Sequence, residues 1–91
     1  MTPEYYEGIV LATLDNLLKN GGDTGLLNLV KETRLSNLTI IKYTKRLEQK
    51  GRLRVTRGSN GERNIYQITD PPNTYDRLAL SFHLESRLEA R

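Results

Sequence analysis

Lys42 and Lys45 stand three residues apart, and Arg46, Lys50, Arg52, Arg54 and Arg57 follow within the next twelve positions. Ammonium and guanidinium groups at that density suit one chemistry above others, the neutralisation of a polyanion. Arg54, Arg57 and Arg63 also crowd a Gly58-Ser59-Asn60-Gly61 stretch whose residue types favour a tight turn. A hairpin tip contributes little to a core, but it reaches outward to a negative charge. Residues 31–57 hold nine Lys/Arg against Glu32 and Glu48, a net +7, whereas residues 1–30 hold Lys19 against four acids, a net −3. The whole chain carries only +3, so its basic character belongs to one segment. Charge alone leaves open the plainer alternative of a solvated, lysine-rich helix face.

Catalysis has little to work with. There is no cysteine, hence no disulfide, thiolate metal site or cysteine nucleophile, and His83 is the only histidine. No nucleophile–base pair, carboxylate motif or phosphate-cradling loop appears, and His83 reads as an ordinary helix residue. The expectation is a binding protein rather than an enzyme, without cofactor or metal. At 91 residues, 36% hydrophobic and 27% charged, the chain is sized for one small domain with a modest core. No run approaches the roughly 20 apolar residues of a membrane span, and MTPEYYEG lacks the basic start and apolar stretch of a signal peptide. A cytoplasmic, nucleoid-associated protein with no membrane partner is expected.

The elements that must position these cations follow from spacing. Thr2-Pro3-Glu4 is a helix start, with a hydroxyl cap, proline at the first position and acid in the first turn. Tyr6, Val10, Leu14, Leu17 and Leu18 recur at helical spacing until Asn20-Gly21-Gly22 stops the run. Asp23-Thr24 offers caps for a short second helix through Leu26, Leu29 and Val30 to about Thr33. Ser36 caps a third, whose inner stripe is Ile40, Tyr43, Thr44 and Leu47. After Gly51, Leu53 and Val55 alternate with Arg52, Arg54 and Thr56 as in a strand. Residues 64–69 return, with Tyr66 and Ile68 on one face. Asp70-Pro71-Pro72-Asn73 breaks the pattern before a last helix from about Thr74.

Two closely spaced helices followed by a basic hairpin resemble the winged helix-turn-helix regulators of bacteria and archaea, broadly the MarR- and PadR-like group. The matching stretches are residues 24–33 (TGLLNLVKET), 35–40 (LSNLTI), 45–51 (KRLEQKG) and 66–69 (YQIT). The resemblance covers about residues 24–70 and is most specific from Leu35 to Gly51. It implies a mostly α, α+β winged helix-turn-helix: three helices, a two-stranded β-hairpin wing and here an added C-terminal helix. It also implies a double-stranded DNA partner. Two positions depart from the group. Arg34 stands where glycine is frequent in the turn, which requires either another geometry or a strained arginine. Thr44 replaces a usual leucine, which thins the core beneath the third helix.

With the inner stripe turned away, Asn37, Leu38, Ile41, Lys42 and Lys45 share the outer face of the third helix, flanked by Thr39 and Arg46. In a major groove, amide and basic side chains read base edges and an apolar one meets a thymine methyl. Asn37, Thr39, Ile41 and Lys42 are the expected base contacts, and Ser36, Lys45 and Arg46 the phosphate contacts. Arg54, Arg57 and Arg63 would serve the wing on phosphates or in the minor groove. Simple capping by Asn37, packing of Ile41, and pairing of Arg63 with Glu62 or Asp70 are the competing structural roles.

In the last helix, Tyr75, Leu78, Ala79 and Phe82 form one apolar stripe, and Leu80, Leu84 and Leu88 another on roughly the opposite side. The chain therefore divides into a DNA-binding unit, 1–72, and a dimerisation helix, 73–91. The second stripe, joined by Tyr5, Ile9 and Ala12 of the first helix, would meet a partner copy. The competing arrangement lays that helix across its own domain. Competing functions on the same surface are a protein-interaction module, architectural DNA binding, and replication or partition. A small-molecule effector is an open question, with 91 residues leaving no separate sensing domain.

Overall fold

Caps at both ends define the first helix, α1, Pro3–Lys19. The Tyr5 amide donates to the Thr2 hydroxyl, and Pro3 occupies a position whose missing N–H is not needed. At the other end Gly21 is left-handed (φ 67°). There the Gly22 amide reaches back to the Leu17 carbonyl at 2.7 Å, closing a Schellman turn. The computed structural model describes residues 2–59 and 63–89, the last three as helix backbone only. The Asn60-Gly61 turn residues and Glu62 therefore lie outside the described residues, as does the Leu88 side chain.

The remaining elements are α2 (Leu26–Thr33), α3 (Asn37–Gln49), β1 (Leu53–Thr56), β2 (Ile65–Ile68) and α4 (Thr74–Glu89). The order and packing are those of a mostly α winged helix-turn-helix with an extra C-terminal helix. The cap of α2 falls on Gly25, not on Asp23 or Thr24. Asp23 instead accepts from the Gly25 amide at 2.8 Å in an Asx turn that leads the chain into the helix. Arg34 takes the strained alternative. It ends α2 at φ 62°, ψ 19°, and the following Leu35 amide is held by the Thr33 hydroxyl at 3.2 Å. Ser36 caps α3 by accepting from the Thr39 amide at 3.2 Å.

β1 and β2 pair antiparallel, with Leu53 opposite Ile68 and Val55 opposite Tyr66. Those four side chains face the core, and Arg54, Thr56, Ile65 and Gln67 face solvent. Leu53 belongs to the core proper, with Ile9, Leu14, Leu29, Ile40 and Leu47.

α1 is the centre of the molecule, buried on every side from Glu7 to Asp15 and packed against α2, α3 and α4. That corrects the expectation for Ile9: it is 0% exposed inside the chain's own core, not on a face open to a partner. Ala12 is buried likewise. α4 lies along α1, and neither of its two stripes is the inward face as a whole. Ala79 is buried, and Leu80 packs on the core. Tyr75 (50% exposed), Leu78 (63%) and Phe82 (54%) point outward. The buried side of α4 is centred on polar residues, Asp76 and His83, which apolar periodicity passes over.

Asp76 and Asn73 cap the helix reciprocally, each side chain accepting the other's amide, at 2.9 and 3.0 Å. A Cβ on Gly8 would lie 2.9 Å from Asp76 Oδ1 and 3.0 Å from its Cα, so the glycine lets α4 approach α1 this closely. His83 Nε2 donates to the Thr33 carbonyl at 2.7 Å, tying α4 to the end of α2.

Candidate nucleic-acid interface

Helix geometry and ion pairing together sort the basic side chains. On α3, Ile40, Tyr43, Thr44 and Leu47 are buried as expected. The opposite side carries Leu38, Lys42 and Lys45, with Ile41 toward the hairpin. Leu38 is 80% exposed and Ile41 40%. Neither Lys42 nor Lys45 has an acidic partner among the described residues. The Lys42 ammonium lies 5.4 Å from the centroid of the Tyr43 ring, a cation–π contact that leaves the charge at the surface. Asn37 is the first residue of the helix and not its cap, so its amide stands exposed beside Leu38.

Arg46 departs from its expected phosphate role. Its Nε donates to Glu7 Oε2 at 3.1 Å, and Lys50 Nζ donates to Glu7 Oε1 at 2.8 Å. Glu7 is only 2% exposed. A buried carboxylate needs compensating charge, and these two cations, on α3 and at its C-cap, supply it. Glu7 was legible in principle, since it falls on the helical stripe of Leu11, Leu14 and Leu18. Thr39, expected near bases, is half-buried, and its hydroxyl shares a 2.8 Å hydrogen bond with the Ser36 hydroxyl. Ser36 and Thr39 thus shape the start of α3.

The wing arginines divide similarly. Arg57 donates to Glu48 Oε1 of α3 at 3.0 Å, pinning the end of the first strand to the helix. Arg63 pairs with Asp23 at the entry to α2, a partner sequence spacing does not suggest. Both pairs are exposed, where such contacts hold little, roughly 0–1 kcal/mol, and yield to a competing phosphate. Arg54 lies on the solvent face opposite Gln67 and has no acidic partner among the described residues.

Arg52, just before β1, is structural. It donates to Asp70 at 2.9 Å, to Asp76 at 2.8 Å and to the Pro71 carbonyl at 3.3 Å. Burial works against its charge, but the hydrogen bonds and charges of Asp76, then Asp70, outweigh that and hold its pKa above the ordinary arginine value.

Between α3 and the hairpin lies an open groove of about 280 Å³, lined by Ile41, Thr44, Lys45, Val55, Arg57 and Tyr66. Thr44 bonds back to the Ile40 carbonyl at 2.7 Å, so its hydroxyl is satisfied within the helix at the floor of the groove. Of the candidate dimer residues, Leu80 is turned to the core and Leu84 is 36% exposed. Tyr5 is half-buried, with its ring edge-on to Phe82 at 6.3 Å.

Among the described residues no group of three or more acids and histidines could hold a metal ion, and no helix is long and apolar enough to cross a membrane. Compared with family models, with curated proteins and with solved structures, the chain matches none.

Proposed function

We propose that the chain binds double-stranded DNA as a dimeric transcriptional regulator, with α3 in the major groove and the hairpin along the backbone or minor groove. The observation that carries this is the outward face of α3, where Lys42 and Lys45 stand without acidic partners beside the amide of Asn37. An α-helix fits the major groove, and cations on its outer face neutralise the phosphates of the groove walls. Arg54 extends the same charge to the hairpin. Arg57 and Arg63 exchange their exposed carboxylates for phosphates on binding.

The outward stripe Tyr75, Leu78 and Phe82 supports a dimer, since residues at i, i+3 and i+7 form a seam that a two-fold axis can pair with itself. Two recognition helices would then read half-sites about one DNA turn apart. The exposed Leu38 favours a second reading, a winged helix that docks a protein through α3.

Selection from a random pool of duplex DNA, followed by sequencing at several salt concentrations, tests the proposal. The expected result is an enriched inverted repeat, with binding weakened in Lys42→Ala/Lys45→Ala and its salt slope reduced by about 2. Salt-sensitive binding without a motif would indicate an architectural protein. No binding at low salt would overturn the DNA reading in favour of the protein-docking one.

A further inference from the structure

We infer that α3 selects DNA by the 5-methyl groups of thymine, with Leu38 as the side chain that reads them and Ile41 beside it. The inference rests on the major-groove placement proposed above and names the chemistry by which that face chooses its sequence.

Leu38 lies at the centre of the outward face. At 100° per residue it stands about 20° from Lys45 and about 40° from Lys42 around the axis, with Ile41 about 60° away on the hairpin side. A single exposed leucine is ordinary on a protein surface. Leu38 differs in its surroundings: it is 80% exposed, between two lysines with no acidic partner among the described residues. Whatever polyanion these lysines grip, the leucine is carried against it. In a major groove the longer lysines reach the phosphate walls and the shorter leucine faces the base edges.

Those edges present hydrogen-bond donors and acceptors with one apolar exception, the thymine methyl. Against guanine O6 and N7, or the cytosine amino group, Leu38 would strip water from polar atoms and return no hydrogen bond. Against thymine it buries a methyl group. The same contact therefore favours thymine and penalises its competitors. Ile41, 40% exposed one turn further on, extends the apolar strip. Asn37 at the end of the strip can meet an adenine N6 and N7 edge, which reinforces A·T pairs in the half-site.

Replacing thymine by deoxyuridine removes the methyl and keeps the Watson–Crick pair. The test selects a motif with the intact protein, then measures affinity for that duplex made with thymine or with deoxyuridine at each position. Wild type is expected to bind about fourfold more weakly for each contacted methyl removed, the value for burying one such group. Leu38→Ala, an exposed change to a better helix former, should lose most of that discrimination and keep the wild-type salt dependence, and Leu38→Ala/Ile41→Ala should bind both duplexes alike.

Equal wild-type affinity for the two duplexes overturns the inference and leaves DNA binding standing. Discrimination that survives in Leu38→Ala/Ile41→Ala also overturns it, since another group or the shape of the DNA then reads the methyl. Absence of salt-sensitive binding to either duplex overturns the inference together with the function beneath it.

Discussion

Arg52 and Arg54 flank Leu53 at the base of the hairpin, and the two have opposite surroundings. Arg52 is held by Asp70, by Asp76 and by the Pro71 carbonyl; Arg54 stands on the solvent face opposite Gln67. Strand alternation would give residues two apart the same environment. Here the difference arises because the chain after β2 passes back over Arg52 and not over Arg54. The same division runs along α3, where Arg46 and Lys50 reach the buried Glu7 while Lys42 and Lys45 face outward. Residue type and local charge density are alike in the two sets. What separates them is a carboxylate delivered by a distant part of the chain. The inner set holds the helices and hairpin in register, and the outer set stands at the surface.

The sharpest way to break that distinction is to truncate one arginine of each kind. Arg52→Ala leaves Asp76 nearly buried without its cation and should cost about 2–4 kcal/mol, out of a total of roughly 5–14 kcal/mol for a domain of this size. Arg54→Ala should change stability by less than about 0.5 kcal/mol and lower the salt slope of DNA binding by about 1. Chemical denaturation and affinity at several salt concentrations read both. Equal costs in stability would dissolve the two classes.

A milder change converts one set toward the other. Glu7→Gln removes the charge that holds Arg46 and Lys50, for a loss of about 1–3 kcal/mol. The released cations should steepen the salt dependence of DNA binding, by up to about 2 in slope. A lost stability with an unchanged slope would mean that the freed side chains do not reach the phosphates.

The smallest effect sharpens the comparison at the Asp76 end. Gly8→Ala gains about 1 kcal/mol in helix propensity but forces α4 away from α1, at about 1–3 kcal/mol. A net loss of about 1 kcal/mol in denaturation experiments is expected. A net gain would show that Asp76 yields easily and that its seat on α1 is looser than the contact implies.

Sequence reading recovers what local chemistry decides. Thr2, Gly21, Ser36 and Gly51 mark helix ends because caps and left-handed glycines act within a few residues. The hairpin follows from alternation around a turn. Arg34 was legible as an anomaly, and its left-handed backbone is the resolution. The engagement of the cations was not legible, because Glu7 and Arg46 are 39 positions apart and Arg52 and Asp76 are 24 apart. Periodicity also misjudged α4. It counts apolar residues, whereas the inward face there is held by the capping carboxylate of Asp76 and the His83–Thr33 hydrogen bond. Ile9 was misplaced because α1 is covered on every side by elements that follow it in the chain, which its own periodicity does not report.

The place of α4 as the last element bears on how the molecule assembles. α1 precedes the other elements in the order of the chain, yet one of its faces is covered only when Asp76, Ala79 and His83 have been made. Closing a loop of that length carries an entropic penalty that short helical hairpins avoid, so folding should be slower than in a bundle stitched from neighbours. Until α4 docks, α1 stays open along the side that meets Asp76, and α3 rests on a support that is still incomplete there.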